Sequence, residues 1–175
     1  PIIDDIIGKQ GENTLWTIID LEDGFHQMHL SRDCWYLTAF VTPWGMYEFT
    51  VMPMGIKNGP AMFQRMITWI LKDLSCANAY IDDVLIGSKG INSKRDLEQH
   101  YQDCCLVLKT FKKHKITAKG TKVHLFMTMI KFCGHILFQE KIKATPSKLE
   151  AIAKWKPEDI KTITNLRASL GLCQY

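Results

Sequence analysis

Three aspartates stand at positions where apolar strands should end. Asp82 and Asp83 lie between two short apolar runs, a pattern typical of a tight strand–turn–strand segment. Asp20 ends the apolar run 15–19, where packing in a core gives no reason for a carboxylate. An isolated Asp-Asp pair predicts only a turn, because the side chain of Asp bonds the nearby backbone. A third acid in a similar setting makes a shared site worth considering.

Neighbouring strands would bring these three carboxylates to one place. Carboxylates that share a partly dry site repel one another, and some must take up protons unless a cation is present. Mg²⁺ relieves the repulsion, since it prefers oxygen ligands and keeps coordination positions for water and substrate phosphates. Two such ions can activate an attacking hydroxyl and stabilise a leaving pyrophosphate. The spacing is therefore compatible with a metal-dependent phosphoryl-transfer site, and a plain turn stays open as the alternative.

The elements that must position the acids follow from the hydrophobic pattern. Runs rich in β-branched and aromatic residues, punctuated by Gly and Pro, predict strands over 15–21, 26–30, 37–42, 47–51, 77–81, 84–86, 116–118 and 129–138. Apolar residues at helical spacing predict helices over 59–74, 92–114, 145–155 and 162–172. This order predicts an α+β fold with a mostly antiparallel sheet and flanking helices.

Length and composition are those of one globular domain. The chain has 175 residues, of which 46% are apolar and 23% charged, which argues against disorder or a fibrous repeat. No apolar run approaches the roughly 20 residues that cross a bilayer, and no secretory signal opens the chain, so an intracellular protein without a membrane segment is expected. The six cysteines form no C-x-x-C pair and are expected to be buried or half-buried thiols rather than disulfides or zinc ligands.

Charge is distributed unevenly although the net charge is only +4. Residues 1–33 carry seven acids and two bases. Between Asp103 and Glu140 there is no acid, but there are seven lysines: Lys109, Lys112, Lys113, Lys115, Lys119, Lys122 and Lys131. The acidic N-terminal segment suggests a metal site, and the lysine-rich segment suggests phosphate binding. Solvated faces of unrelated elements would give the same distribution of charge.

Six short motifs follow one another in a recognisable order. They occupy residues 16–21, 24–27, 38–43, 52–55, 58–64 and 80–83. In order and spacing they resemble the core of a reverse transcriptase, and most closely that of the gypsy group of long-terminal-repeat retrotransposons. The segments 132–135 and 145–152 add to the likeness, which covers nearly the whole chain. Each motif is weak by itself, and the ordered set is specific.

The resemblance implies an RNA-directed DNA polymerase. Such an enzyme transfers a nucleotide from a deoxynucleoside triphosphate (dNTP) to the 3′-hydroxyl of a primer, using two Mg²⁺ ions or Mn²⁺ in their place. By this likeness Asp20 and Asp82 are the metal-binding carboxylates, and Asp83 is the third acid of the catalytic group. The backbone carbonyl of Leu21 is implied as a further ligand.

Nucleic-acid and nucleotide contacts are implied in the same way. Phe25 matches an aromatic gate beneath the incoming sugar, whose ring leaves no room for a 2′-hydroxyl. Gln64 matches a residue that contacts the incoming nucleotide. The primer grip, a hairpin that holds the primer end, matches Phe132, Cys133, Gly134 and His135. Contacts to the nucleic-acid backbone are expected from Lys109, Lys112, Lys113, Lys115, Lys119 and Lys122, for which a solvated helix end is the alternative.

The likeness also implies a division of the chain. Residues 1–144 match a polymerase palm with a finger segment near 28–68, and residues 145–175 match the beginning of a helical thumb. The upstream fingers, the rest of the thumb and a ribonuclease H domain are expected outside these residues. The chain is therefore expected to be part of a retrotransposon polyprotein and can be inactive by itself.

The resemblance also implies binding partners, and two alternative functions stay open. The partners implied are an RNA or DNA template with its primer, a dNTP, and tethered ribonuclease H and integrase domains in a cytoplasmic particle. One rival is a non-catalytic nucleic-acid-binding or structural module derived from a reverse transcriptase. Another is a metal-dependent nuclease, which gives no reason for Phe25 and Gln64.

The chain departs from the family pattern with Phe25 where Tyr is frequent, Met54 where an aromatic is usual, and Lys141 where Gly is frequent.

Overall fold

The computed structural model of the chain describes residues 3–138, 141–154, 156, 158 and 160–173. The helices are α1 (Ile3–Gln10), α2 (Gly59–Ile70), α3 (Lys94–His114), α4 (Pro146–Lys154) and α5 (Ile163–Cys173). The strands are β1 (Leu15–Asp20), β2 (Phe40–Thr42), β3 (Gly45–Tyr47), β4 (Ala77–Tyr80), β5 (Asp83–Ser88), β6 (His124–Met127), β7 (Met129–Phe132), β8 (His135–Phe138) and β9 (Lys141–Ala144). The predicted α+β fold with antiparallel strands is confirmed.

The central sheet has the strand order β4-β5-β1-β6 with antiparallel pairing. Strand β1 is covered on both faces, so its sequence is a continuous apolar run rather than an alternating one. On one face Ile19 belongs to a buried cluster with Phe63 of α2 and Val107 of α3. On the other face Trp16 belongs to a cluster with Leu137 of β8. Apolar packing on both sides fixes where β1 ends.

A buried histidine locks α3 to this sheet. His100 Nε2 lies 2.8 Å from Thr17 Oγ1 on β1, and its Nδ1 lies 2.8 Å from Ser88 Oγ on β5. Burial lowers the pKa of His100, although the charge of Asp103 works against this. The ring is therefore neutral at pH 7, and one nitrogen donates to a hydroxyl while the other accepts from one.

Two segments predicted as strands, 26–30 and 37–42, begin inside short 3₁₀ helices. These are Gly24–Gln27 and Arg32–Thr38, so the first two residues of each predicted strand are not extended, whereas Phe40–Thr42 forms β2 as predicted. In the described part of the chain no strand pairs with either 3₁₀ helix, and local bonds form there instead. Thr38 Oγ1, for example, donates to the carbonyl three residues earlier at 2.7 Å. Hydrophobic content alone does not make a strand where no partner strand is available.

Besides the two-stranded sheet β2-β3, the chain has a three-stranded antiparallel sheet, β7-β8-β9, in its C-terminal part. The strand predicted over 129–138 is a hairpin, which turns at Cys133 and Gly134 with φ values of 45° and 78°. Positive φ at both central residues is typical of a two-residue hairpin turn. Of the helix predicted over 145–155, the last residue lies outside the described residues. Thr162 caps helix α5, since its Oγ1 accepts from a first-turn amide at 3.1 Å.

No helix in the described part of the chain is long and apolar enough to span a membrane. The cysteines whose state the structure describes are free thiols: Cys34, Cys76, Cys104, Cys105 and Cys133. For these residues the prediction of thiols rather than disulfides is confirmed.

Candidate active site

The three aspartates lie at one end of the central sheet. Asp20, the last residue of β1, is the antiparallel partner of Asp83, the first residue of β5. The hairpin between β4 and β5 closes at Asp83, so Ile81 and Asp82 form a two-residue turn. The backbone amide of Leu21 donates to the carbonyl of Asp82 at 2.9 Å. Strand register thus brings together acids that are far apart in the sequence.

The carboxylate of Asp82 is buried on one side without a partner. Its Oδ1 is buried and has no hydrogen-bond partner in the described part of the chain. This oxygen lies against Gly24, where an added Cβ would be only 2.2 Å away. Burial, followed by the charges of Asp20 and Asp83, raises the pKa of Asp82 above its ordinary value. An unpartnered carboxylate oxygen among like charges is the kind of ligand that Mg²⁺ prefers.

Lys122 partly neutralises the acids. Its Nζ lies 3.0 Å from Asp20 Oδ2. Burial and then the charge of Asp20 raise the pKa of Asp83, and Lys122 opposes this shift as it does at Asp82. Within the described residues, no three His, Cys, Asp or Glu side chains are arranged to hold one ion. Asp20 is thus paired with an ammonium group, unlike the Oδ1 of Asp82.

The segment that carries Lys122 is fastened to the loop after β1. The side chain of Gln27 pairs with the backbone of Thr117 in both directions, and each bond is 2.9 Å long. The strand predicted over 116–118 is wrong, because only a single bridge to this loop forms there. Gln27 belongs to one of the recognised motifs, but its bonds join residues 90 positions apart, and no local pattern predicts them.

Phe25 borders a small pocket next to the acids. Its ring packs edge-on against Phe63, with 5.6 Å between the ring centroids, and Phe63 is fully buried. The pocket has a volume of about 150 Å³ and is also lined by Pro53, Gly55, Ile56, Lys57, Gly59 and Pro60. Three of the sequence motifs, 24–27, 52–55 and 58–64, therefore meet around this pocket.

The amide of Gln64 bonds the backbone on both sides of Tyr80. Its Nε2 donates to the carbonyl of Ala79 at 2.9 Å, and its Oε1 accepts from the amide of Ile81 at 2.7 Å. Nε2 also donates to Thr68 Oγ1 at 3.1 Å. The structure thus places this side chain against the acid-bearing hairpin, with both of its polar atoms engaged.

The segment that matches a primer grip forms the hairpin between β7 and β8. Phe132 is buried in the same cluster as Trp16 of β1. Cys133, Gly134 and His135 are half-buried at the turn. Phe132 therefore anchors the hairpin to the sheet, and the turn is its more exposed part.

The lysines divide into two groups. The first group is exposed at the C-terminal end of α3 and directly after it: Lys109, Lys112, Lys113 and Lys115. Cations there complement the negative end of the helix macrodipole, so this group has a structural explanation. The second group is beside the acids, since the amide of Lys119 donates to the Asp20 carbonyl at 2.8 Å and Lys122 pairs with the Asp20 carboxylate.

Known proteins are similar to this chain in sequence and in fold. Residues 3–137 match the family model described as "Reverse transcriptase (RNA-dependent DNA polymerase)". The chain is 34% identical over 177 residues to the retrovirus-related Pol polyprotein from transposon opus of Drosophila melanogaster, and 28% identical over 177 residues to the one from transposon gypsy. Each alignment covers 100% of this chain but only 17% and 16%, respectively, of the polyproteins. The structure of the foamy viral protease-reverse transcriptase in complex with double-stranded DNA matches with a TM-score of 0.80 at 22% identity, over 96% of this chain and 29% of that one.

The chain belongs to the reverse transcriptase family. Its curated relatives include retrotransposon Pol polyproteins, gypsy among them, which confirms the affiliation that the ordered motifs suggest. The chain spans less than a fifth of the length of these two relatives. The structural match shows that the α+β fold is that of a reverse transcriptase.

Proposed function

We propose that the chain is the catalytic core of an RNA-directed DNA polymerase, which transfers a nucleotide from a dNTP to the 3′-hydroxyl of a primer. The observation that carries this proposal is the cross-strand pairing of Asp20 with Asp83, with the unpartnered Oδ1 of Asp82 in the adjoining turn. Membership of the reverse transcriptase family supports it. Such an acid cluster suits nucleotide transfer. This reaction needs positive charge next to the phosphate oxygens, and carboxylates can hold cations there.

Asp20, Asp82 and Asp83 would hold two Mg²⁺ ions, or Mn²⁺ in their place, with the carbonyl of Leu21 as a further ligand. When bound, the ions would activate the attacking hydroxyl and neutralise the charge of the leaving pyrophosphate. The raised pKa values of Asp82 and Asp83 support this assignment, since burial and then the neighbouring carboxylates raise them more than Lys122 lowers them, and bound cations would relieve that cost. Lys122 would keep Asp20 neutralised until the cations arrive.

Phe25 would select the sugar of the incoming nucleotide. Its ring borders the 150 Å³ pocket and packs against Phe63, which is fully buried and cannot retreat. A ring supported in this way has little freedom to move aside for a 2′-hydroxyl, so a deoxynucleotide is the favoured substrate.

The nucleic acid would be an RNA or DNA template with its primer. We place residues 1–144 in the palm, with a finger segment near 28–68, and residues 145–175 at the start of the thumb. The turn of the β7–β8 hairpin would hold the primer end, and the lysines would contact phosphates without regard to sequence. The relatives are polyproteins, which supports further domains tethered to this chain. Ribonuclease H and integrase would be among them, and a cytoplasmic particle would be their setting.

Primer extension on an RNA template tests the proposal. The assay should use the longest polypeptide that the coding sequence around this chain encodes, with the 175-residue chain alone in parallel. We expect incorporation of deoxynucleotides that requires Mg²⁺ or Mn²⁺, stops when a chelator is added, and disfavours ribonucleotides. Binding of primer–template without incorporation at any cation concentration would contradict the proposal and favour a non-catalytic module. Shortening of the strands instead of extension would favour a nuclease.

A further inference from the structure

We propose that Gln64 is a positioning residue, which fixes the turn that carries Asp82 by bonding the backbone on both sides of Tyr80. This inference rests on the proposed function, and it assigns to Gln64 a role different from direct contact with the nucleotide. The three hydrogen bonds of its amide all go to protein atoms: the Ala79 carbonyl, the Ile81 amide and the Thr68 hydroxyl.

The position of these bonds at the edge of the sheet explains what they contribute to the structure. Strand β4 is an edge strand, because the order of the central sheet is β4-β5-β1-β6. The carbonyl of Ala79 and the amide of Ile81 are separated by one residue and bond the same side chain, as they would bond a neighbouring strand. Gln64 thus supplies, from α2, the donor and acceptor that a further strand would supply. A primary amide is suited to this, since it carries both groups at once.

The turn has a strained backbone that needs such support. Ile81 has a φ of 53°, in the left-handed region that a β-branched residue rarely adopts. Gln64 holds the amide of Ile81 at 2.7 Å, while Leu21 donates to the carbonyl of Asp82 at 2.9 Å. Bonds at two consecutive residues therefore fix the turn. Removal of the Gln64 bonds would let Ile81 relax and would displace the next residue, Asp82.

Steady-state kinetics separate positioning from nucleotide contact. A contact with the incoming nucleotide would have to use the second lone pair of Oε1 or displace one of the bonds that Nε2 makes. Its loss would mainly raise the KM for dNTP, because binding energy would be removed. Misplacement of a catalytic carboxylate would instead lower kcat while leaving the KM nearly unchanged.

The variants are chosen to remove bonds and keep the volume. Gln64→Met has the length of Gln and no hydrogen-bonding group for Ile81, whereas Gln64→Glu keeps an acceptor for Ile81 and loses the donor for Ala79. Gln102→Met is the matched control, because Gln102 bonds only an exposed helix neighbour, Glu98, at 2.8 Å. Circular dichroism should show that each variant is folded. Hydrogen exchange at the Ile81 amide provides a readout that does not depend on activity.

We expect Gln64→Met to lower kcat by about 10- to 100-fold with a KM for dNTP within about threefold of the wild type. Ile81 exchange should be faster in this variant, Gln64→Glu should be intermediate in both readouts, and Gln102→Met should match the wild type. An increase in KM at unchanged kcat, or unchanged exchange at Ile81, would overturn the positioning role. If the wild type itself incorporates no nucleotide, the proposed function fails, whereas the Ile81 exchange still decides whether Gln64 holds the turn. A Gln64→Met variant that does not fold leaves Gln64→Glu, in which unchanged exchange and unchanged kcat would refute the role.

Discussion

Replacement of Gly24 by Ala should disable the site while leaving the fold intact. A Cβ at this position would lie 2.2 Å from Asp82 Oδ1, 2.9 Å from Asp82 Cγ and 3.1 Å from Phe63 Cζ. Phe63 is fully buried, so it has little room to give way. Gly24 is not among the residues with positive φ, and Ala can therefore adopt its backbone conformation. The perturbation therefore falls mainly on the carboxylate of Asp82, and the ring of Phe63 must give way by only a few tenths of an ångström.

The size of the effect follows from these distances. Ordinary contact of a Cβ begins near 3.4 Å, so the methyl and Asp82 Oδ1 must separate by about 1.2 Å. A displacement of about 1 Å in a catalytic group costs on the order of 100-fold in rate. At 1.36 kcal/mol for each factor of ten, this is about 2.7 kcal/mol of transition-state stabilisation.

Single-turnover incorporation of one dNTP is the assay, because it reports the chemical step without product release. Gly8→Ala is the matched control, since a Cβ at Gly8 on α1 meets nothing within 4 Å. We expect Gly24→Ala to lower the single-turnover rate about 100-fold with a Tm close to that of the wild type, and Gly8→Ala to leave the rate unchanged. A Gly24→Ala variant that incorporates at the wild-type rate would refute the argument that this contact sets the position of Asp82.

Two further predictions concern the gate and the charge of the site. Phe25→Ala should remove the discrimination against ribonucleotides while leaving deoxynucleotide incorporation measurable, and unchanged discrimination would contradict the gate. Asp82→Asn should stabilise the chain at pH 7 in the presence of a chelator, by about 0.5–1 kcal/mol, which is a Tm increase of roughly 1–4 °C. Because the pKa of Asp82 is raised in the folded state, folding favours its protonation, so the wild type gains stability as pH falls through that pKa. The Tm difference between the two proteins should therefore shrink from pH 7 toward pH 4. A difference that grows on acidification would contradict a raised pKa of Asp82 in the folded state.

The sequence predicts the elements that carry the acids because their signal is local. The apolar run that ends at Asp20 and the hairpin around Asp82 and Asp83 are both visible as short stretches of pattern. The helix that carries Gln64 is visible from its 3.6-residue period, although it ends at Ile70 rather than near 74. Strand identity and strand ends therefore come from the sequence, as does the α+β class.

The contacts that tune the site are not local, and the sequence does not show them. Lys122 pairs with Asp20 from 102 positions away, and Gln64 bonds Ile81 from 17 positions away. The packing of Gly24 on Asp82 depends on the 3₁₀ turn at Gly24–Gln27, and the pattern predicts no such turn there, since it gives a strand from residue 26. Each of these contacts depends on tertiary packing, which leaves no periodic pattern in the sequence. Motif membership was the only sequence signal for Gly24.

Incorporation of one deoxynucleotide by carboxylate variants tests the central claim most directly, namely that three acids brought together by strand register form a polymerase active site. The variants are Asp20→Asn and Asp82→Asn, with Asp5→Asn as the control, because Asp5 belongs to an exposed Asp-Asp pair in the first turn of α1. With Mg²⁺ and a primed RNA template, the account predicts losses of about 1,000-fold or more for the first two and a rate within about twofold of the wild type for Asp5→Asn. Full activity of Asp82→Asn, or an equal loss in all three variants, would contradict it.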